Sequence, residues 1–108
     1  MDITFYNCGE IRMGSPFNIC KLKTPFSLPN KDWQDIYSVN DEKTIYAFVY
    51  WDTKDNEPGF RVLIYNHKNN KIKESERYEG CCKKLSWSNE GFIYESFPGG
   101  TGIINAKT

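Results

Sequence analysis

The chain has 108 residues, and its 14 basic and 14 acidic residues give a formal net charge of zero. This length predicts one domain over residues 1–108, and the 16% aromatic content, mixed with Val, Ile and Thr in short runs, favours an all-β fold. The even charge balance makes nucleic acid an unlikely partner. With neither a long apolar run nor a leader pattern, we expect a cytoplasmic protein without membrane contacts.

The first thirty residues predict two short strands followed by an irregular connection. Residues 3–6 form the first strand. Residues 17–23 alternate apolar and polar side chains as a half-buried strand does, with Phe17 among those that point inward. Prolines at positions 25 and 29 make residues 24–31 an irregular connection.

A short helical turn is the interpretation of the next segment. Trp33, Ile36 and Tyr37 follow one another at i, i+3 and i+4, which is the spacing of one face of a helix. We therefore expect at most one short helical turn near residues 30–37, running into a strand by Ser38.

The centre of the chain predicts the middle of a sheet and one of its edges. Residues 44–51 are apolar at both odd and even positions, as in a strand covered on both faces, and residues 60–65 return as its neighbour after a polar loop at 52–59. A turn at 67–70 leads to residues 71–77, which are largely charged. Charged residues at both odd and even positions are typical of an exposed edge strand. We therefore expect the chain to cross from there to a second sheet.

A second hairpin follows, and part of it repeats an earlier stretch. Residues 36–48 resemble residues 85–97 at an offset of 48 or 49, with an Asn and an acidic residue at the turn and an Ile-Tyr pair in the following strand. The strand order resembles a blade of a β-propeller, but a chain of this length supplies about two blades, too few to close a ring. We predict a small antiparallel β-sheet or sandwich of about 7–8 strands built from blade-like hairpins.

Residues capable of catalysis or metal binding are few and poorly placed. The one histidine, His67, lies in a predicted exposed turn, where no partner would position it as a base. The cysteines have no Cys-x-x-Cys knuckle for zinc, and we expect reduced thiols; they are Cys8, Cys20, Cys81 and Cys82. We therefore expect no catalytic residue, no cofactor and no metal site.

Charge is segregated along the chain despite the neutral total. Residues 58–84 carry seven bases and three acids, whereas residues 31–57 carry three lysines and seven acids, which are Asp32, Asp35, Asp41, Glu42, Asp52, Asp55 and Glu57. Such a chain could present an acidic face to a basic partner. Two ordinary solvated surfaces are the alternative.

The small size, the opening Met-Asp-Ile-Thr-Phe-Tyr strand and the absence of catalytic motifs resemble the immunity proteins of bacterial polymorphic-toxin and contact-dependent inhibition systems. That resemblance implies a protein that binds a cognate toxin domain, often a nuclease, and occludes its active site without chemistry of its own. The acidic segment would pair with cations of the toxin, and Trp33, Tyr50 and Trp51 are candidate anchors. Trp33 and Trp51 could equally belong to the core.

Two other classes of function remain open. A single-stranded nucleic-acid-binding module would use the basic half, where Phe60, Arg61 and Tyr65 alternate rings and charge. A carbohydrate-binding β module would instead use an exposed Trp or Tyr. An enzyme is the least expected of these classes.

Overall fold

The computed structural model describes residues 3–10, 18–97 and 99–107, and all of the regular secondary structure there is β-strand. No helix in these ranges is long and apolar enough to cross a membrane. The strands are β1 (Thr4–Glu10), β2 (Asn18–Lys23), β3 (Trp33–Val39), β4 (Ile45–Trp51), β5 (Gly59–Asn66), β6 (Lys71–Glu74), β7 (Tyr78–Glu79), β8 (Cys81–Ser88), β9 (Gly91–Phe97) and β10 (Thr101–Ile104).

These strands form two antiparallel sheets. The larger has seven strands in the order β1-β2-β3-β4-β5-β6, with β7 also paired to β5, and the smaller has the order β10-β9-β8. The predicted all-β class and antiparallel architecture are confirmed. Ten strands replace the expected seven or eight, because the charged edge is divided into β6 and β7 and β10 follows the second hairpin.

The β4–β5 hairpin is the centre of the molecule, as its two-sided apolar pattern predicts. One face of this hairpin packs against the smaller sheet and forms an aliphatic cluster. Its fully buried members include Ala47, Val49, Val62 and Ile64 from the hairpin and Phe92 from β9. Because β-branched side chains fill this space, the two sheets pack closely along the hairpin.

The opposite face of the same hairpin carries an aromatic cluster. Its buried members from the sheet are Trp33, Tyr46, Phe48, Tyr50, Leu63 and Tyr65. Phe26 from the connection after β2 covers them, with Phe5 and Leu22 from the β1–β2 hairpin packed alongside. The predicted irregular connection at 24–31 is therefore confirmed, and it forms part of the lid over this cluster.

A single buried amide joins the two sheets. The Gln34 side chain on β3 donates from Nε2 to the carbonyl of Cys82 at 2.8 Å and accepts from the Cys82 N–H at 3.0 Å. Gln34 thus occupies the place of a neighbouring strand at the edge of β8. The side-chain amide of Gln34 and the backbone N–H and C=O of Cys82 therefore satisfy one another's hydrogen-bonding capacity.

The predicted helical turn at 30–37 is wrong, because β3 starts at Trp33. Trp33 pairs with Tyr50, whereas Tyr37 pairs with Phe48, so β3 has extra residues between these two pairs. Trp33 and Tyr37 face the aromatic cluster, and Ile36 packs against the aliphatic one. The helix-like spacing therefore arises from a bulged strand with apolar residues on both faces.

The charged segment after the 67–70 turn is an edge, as predicted. β6 pairs with the end of β5 and β7 with its beginning. Between them Ser75 donates its N–H to the Val62 carbonyl, and its hydroxyl accepts from the Val62 N–H, so the side chain replaces a ladder bond. The chain then passes to the smaller sheet at Cys81, where the crossing was expected.

The N-terminal hairpin differs from expectation. β1 continues through a bulge at Asn7, where φ is 51°, and extends to Glu10. A disulfide joins Cys8 on β1 to Cys20 on β2, so the expectation of four reduced thiols is wrong for this pair. The prediction that Phe17 points inward falls outside the described residues.

Candidate partner-binding site

The loop between β4 and β5, residues 52–58, is a small rigid hairpin. Lys54 and Glu57 exchange backbone hydrogen bonds of 3.1 and 2.8 Å. Asp55 and Asn56 between them have φ values of 52° and 62°, which is the left-handed pair that a tight two-residue turn requires. The side chains of Asp55 and Glu57 are exposed, so the hydrogen-bonded backbone of the loop presents two carboxylates to solvent.

Arg77, just before β7, clamps the base of this loop. Its Nε donates to the carbonyl of Asp52 at 2.7 Å, and its Nη2 donates to the carbonyl of Glu57 at 3.1 Å. A Cβ at Gly59 would collide with this guanidinium, which explains a glycine at the entry to β5. The guanidinium thus links the backbone of Asp52 to that of Glu57, while the side chains of Asp55 and Glu57 remain exposed.

A polar cleft of about 400 Å³ lies beside the loop. It brings together four of the ten predicted partner-binding residues, which are Asp32, Tyr50, Trp51 and Asp52. Asn30, Lys31 and Arg61 complete its lining. Two acids and two bases line this cleft, so its charges balance.

Arg61 neutralises one of the predicted acids. Its Nε donates to Asp52 Oδ2 at 2.6 Å, and its Nη1 donates to the carbonyl of Ser75 at 3.2 Å. The hydrogen bond to Asp52 raises the pKa of Arg61 further above its ordinary value. Both side chains are about one-third exposed, so this pair orders the cleft more than it stabilises the fold.

The phenol of Tyr50 forms the floor of the cleft. Its hydroxyl donates to Glu74 Oε1 at 2.7 Å, and Lys31 Nζ lies 3.5 Å from the same oxygen and 4.7 Å from the centre of the tyrosine ring. Burial, followed by the hydrogen bond to Glu74, raises the pKa of Tyr50 far above its usual value. Tyr50 is therefore a hydrogen-bond donor at any physiological pH.

The three aromatic residues considered as anchors belong to the core. Trp33 is 3% exposed and packs edge-to-face on Phe48 and Tyr50. Trp51 is 7% exposed, and its Nε1 donates to the Asn18 carbonyl at 3.0 Å. Burial makes these rings part of the core next to the cleft. For Trp33 and Trp51 this is the alternative to a role as anchors that the sequence left open.

The remaining predicted acids lie elsewhere. Asp41 and Glu42 are in the turn before β4, at the opposite end of that strand from the 52–58 loop. Seven strand residues separate the two ends by ~20 Å. Glu42 lies 3.8 Å from Lys68, and Asp35 on β3 accepts a hydrogen bond from Asn18. One acidic segment of sequence thus becomes two separate acidic sites.

The residues considered for catalysis or metal binding form no reactive cluster within the described part of the chain. Cys81 and Cys82 are buried free thiols, and burial raises the pKa of both, that of Cys82 to about 12. His67 lies in an exposed turn, as expected, with its ring 5.2 Å from that of Phe26. Within the described residues no group of His, Cys, Asp and Glu side chains could hold a metal ion.

The rings proposed for nucleic-acid binding and for carbohydrate binding differ in their exposure to solvent. Phe60 and Tyr65 are buried and cannot stack on bases in a nucleic-acid complex, whereas Tyr78, a third ring of the basic half, is half-buried. Trp87 is only half-buried and lines a groove of about 550 Å³ with Asn89 and Asn105. An aromatic ring surrounded by amides is a surface that a carbohydrate could use.

Sequence reasoning missed the role of Arg77, which it considered only as part of the basic half of the chain. Pro58-Gly59 marks the end of the loop but does not reveal that a distant guanidinium packs against the glycine. Asp52 and Arg77 are 25 residues apart in sequence, so no local pattern predicts their contact.

Comparison with protein-family models, curated proteins and solved structures finds no match for this chain. The likeness to immunity proteins therefore remains a prediction from sequence character.

Proposed function

We propose that this protein is an immunity-type inhibitor, which binds a cognate bacterial toxin domain and occludes its active site. The observation that carries the proposal is the 52–58 loop. It projects Asp55 and Glu57 into solvent from a hairpin whose base is clamped by Arg77. A nuclease domain is the proposed target, because it must expose cations where its substrate's phosphates bind.

The clamped loop suits rapid and tight binding to such a target. Ordering a flexible loop on binding costs free energy, and a loop already held by backbone hydrogen bonds avoids most of that cost. Exposed carboxylates would also steer the encounter with a basic cleft. Inhibition would follow from steric coverage, with no cofactor and no reaction on this chain.

The proposed site of action is the cytoplasm, where disulfides are rarely maintained. The Cys8–Cys20 bond lies in the β1–β2 hairpin, whereas the 52–58 loop joins β4 to β5. The proposal therefore requires the loop to bind its target equally well when this bond is reduced.

The test compares two charge-reversed forms of the full chain as baits in extracts of the native cell. Asp55→Lys with Glu57→Lys alters the clamped loop, and Asp41→Lys with Glu42→Lys applies the same charge change at the other end of β4. We expect wild type and the 41/42 form to retain one protein in one-to-one ratio, and the 55/57 form to lose it. The retained protein should be toxic, and wild type should inhibit it.

Two results would contradict the proposal. One is the recovery of no stoichiometric partner from cells that express the neighbouring genes. The other is an equal loss with both charge reversals, which would show that net charge alone governs retention. Melting temperatures of the three baits check that each is folded.

A carbohydrate-binding module is the second candidate, favoured by the groove at Trp87. Trp33 and Trp51 are buried, so a change in tryptophan fluorescence on adding sugars would report mainly on Trp87. Saturable quenching that disappears in Trp87→Phe would support this candidate. Unchanged fluorescence across mono- and oligosaccharides would exclude it.

A further inference from the structure

The outer edge of β10 has backbone groups that pair with no described strand. Ser96 donates its N–H to the carbonyl of Gly100, and the same register continues into β9 at Gly102 and Ile104. Hydrogen-bonded pairs alternate along an antiparallel ladder. The N–H and C=O groups of Thr101 and Ile103 therefore point away from β9, where the order β10-β9-β8 ends.

This edge has less protection than the other described edges, because Lys73 Nζ donates to the carbonyl of Asn105 only beyond the end of β10. β6 carries Lys71, Lys73 and Glu74 among its four residues. β1 is interrupted by a bulge, and β8 is covered at Cys82 by the side chain of Gln34. β10 has the sequence Thr-Gly-Ile-Ile, without charge, proline or bulge. An uncharged regular edge is a ready template for another strand.

The side chains at this edge are also exposed and apolar. Ile103 is 52% exposed and lies beside Ile93 of β9 on the outer face of the smaller sheet. A strand added at the edge would cover Ile103 and satisfy the free backbone groups together. Main-chain hydrogen bonds and a flanking apolar contact are the two components of strand addition.

We propose that the occupant is a second copy of this chain, joined by antiparallel pairing of the two β10 strands about an axis at Gly102. In that register Thr101 of one copy faces Ile103 of the other, and their outward backbone groups exchange four hydrogen bonds. Two-fold pairing places a strand against itself, so it needs an edge without like charges. β10 meets this condition, whereas the same pairing of β6 about Ile72 would oppose Lys71 and Lys73.

The axis residue Gly102 is covered on the inner face of the sheet by the ring of Tyr94, with which a Cβ would collide. Pairing at the axis would use the outer edge of the strand and leave this contact in place. Because each copy contributes only a short strand, we expect a weak dimer. The inference is independent of the toxin-binding proposal, since it concerns another strand and another surface.

The experiment is sedimentation velocity on the full chain over a concentration series from about 10 µM to 1 mM, spanning the range of weak association. We expect a monomer–dimer equilibrium for wild type. Thr101→Asp with Ile103→Asp should weaken dimerisation by roughly tenfold or more, because carboxylates would face each other across the axis. Ile72→Asp is the matched control, since Ile72 is 42% exposed on the β6 edge, and it should dimerise as wild type does.

A charge-complementation experiment tests the register. Thr101→Lys with Ile103→Lys should also be monomeric alone, but a mixture with the aspartate form should restore a dimer with one copy of each. A wild-type protein that stays monomeric throughout would overturn the proposal, and strand addition by a different protein would then be the use of this edge. Dimerisation that persists in the aspartate form would equally overturn it. Near-ultraviolet circular dichroism confirms that each variant is folded.

Discussion

Two hairpins with similar sequences occupy different environments in this molecule. The β3–β4 hairpin lies inside the larger sheet, with β4 buried on both faces. The β8–β9 hairpin belongs to the smaller sheet, and the second half of β9 is only partly buried. The two copies therefore share a strand pattern, while the position of each hairpin in the sandwich decides which side chains become core.

The turns of the two hairpins are also built differently. Asn40 caps the β3–β4 turn, accepting from the N–H groups of Thr44 and Ile45 and donating to the Thr44 hydroxyl. The β8–β9 turn has two central residues, closed by the Ser88 hydroxyl, which donates to the Gly91 carbonyl. The difference in turn length shifts the second strands out of register, so the hairpins are not structural duplicates or successive blades of a propeller.

The largest expected contrast is between Phe48 and Phe97, which the repeat aligns. Phe48 is fully buried in the aromatic cluster, whereas Phe97 is 48% exposed at the end of β9. Phe48→Ala should lower the free energy of unfolding by about 3–5 kcal/mol, because it leaves a cavity in the core. Phe97→Ala should lower it by less than about 1 kcal/mol. Urea unfolding of both variants measures the contrast, and equal losses would refute it.

The next largest loss of stability is expected from removing the hydrogen bonds that join the two hairpins. Gln34 on β3 and Cys82 on β8 lie 48 residues apart in sequence, so their hydrogen bonds join the two hairpins over a long range. Gln34→Leu would leave the buried N–H and C=O of Cys82 without partners, at a cost of about 2–4 kcal/mol. Amide exchange should accelerate most along β8. An exchange pattern changed only in β4 and β5 would contradict this role for Gln34.

The sequence predicts those parts of this fold that depend on local pattern. The two-sided apolar run at 44–51, the charged edge and the turn at 67–70 are each readable from neighbouring residues, and the structure confirms them. β3 was misread because a bulged strand with apolar residues on both faces imitates a helical face.

The candidate site was less predictable, because distant residues build it. Charge counting grouped Asp41 with Asp52, although the strand between them sends them to opposite ends of the sheet. The contribution of Arg77 depends on its reaching the loop across β5. Burial of Trp33 and Trp51 similarly depends on which faces of the sheet are covered, and composition does not predict which faces these are.

The smallest expected contrast separates the two turn asparagines that the repeat aligns. Asn40 is buried and makes three side-chain hydrogen bonds within its turn, whereas Asn89 is exposed beside the groove at Trp87. Asn40→Ala should lower the free energy of unfolding by about 1–2 kcal/mol, since it leaves two backbone N–H groups without their acceptor. Asn89→Ala should change it by no more than about 0.5 kcal/mol. Thermal unfolding of the pair gives the comparison, and an equal effect would mean that turn chemistry, independent of burial, determines the contribution of each hairpin.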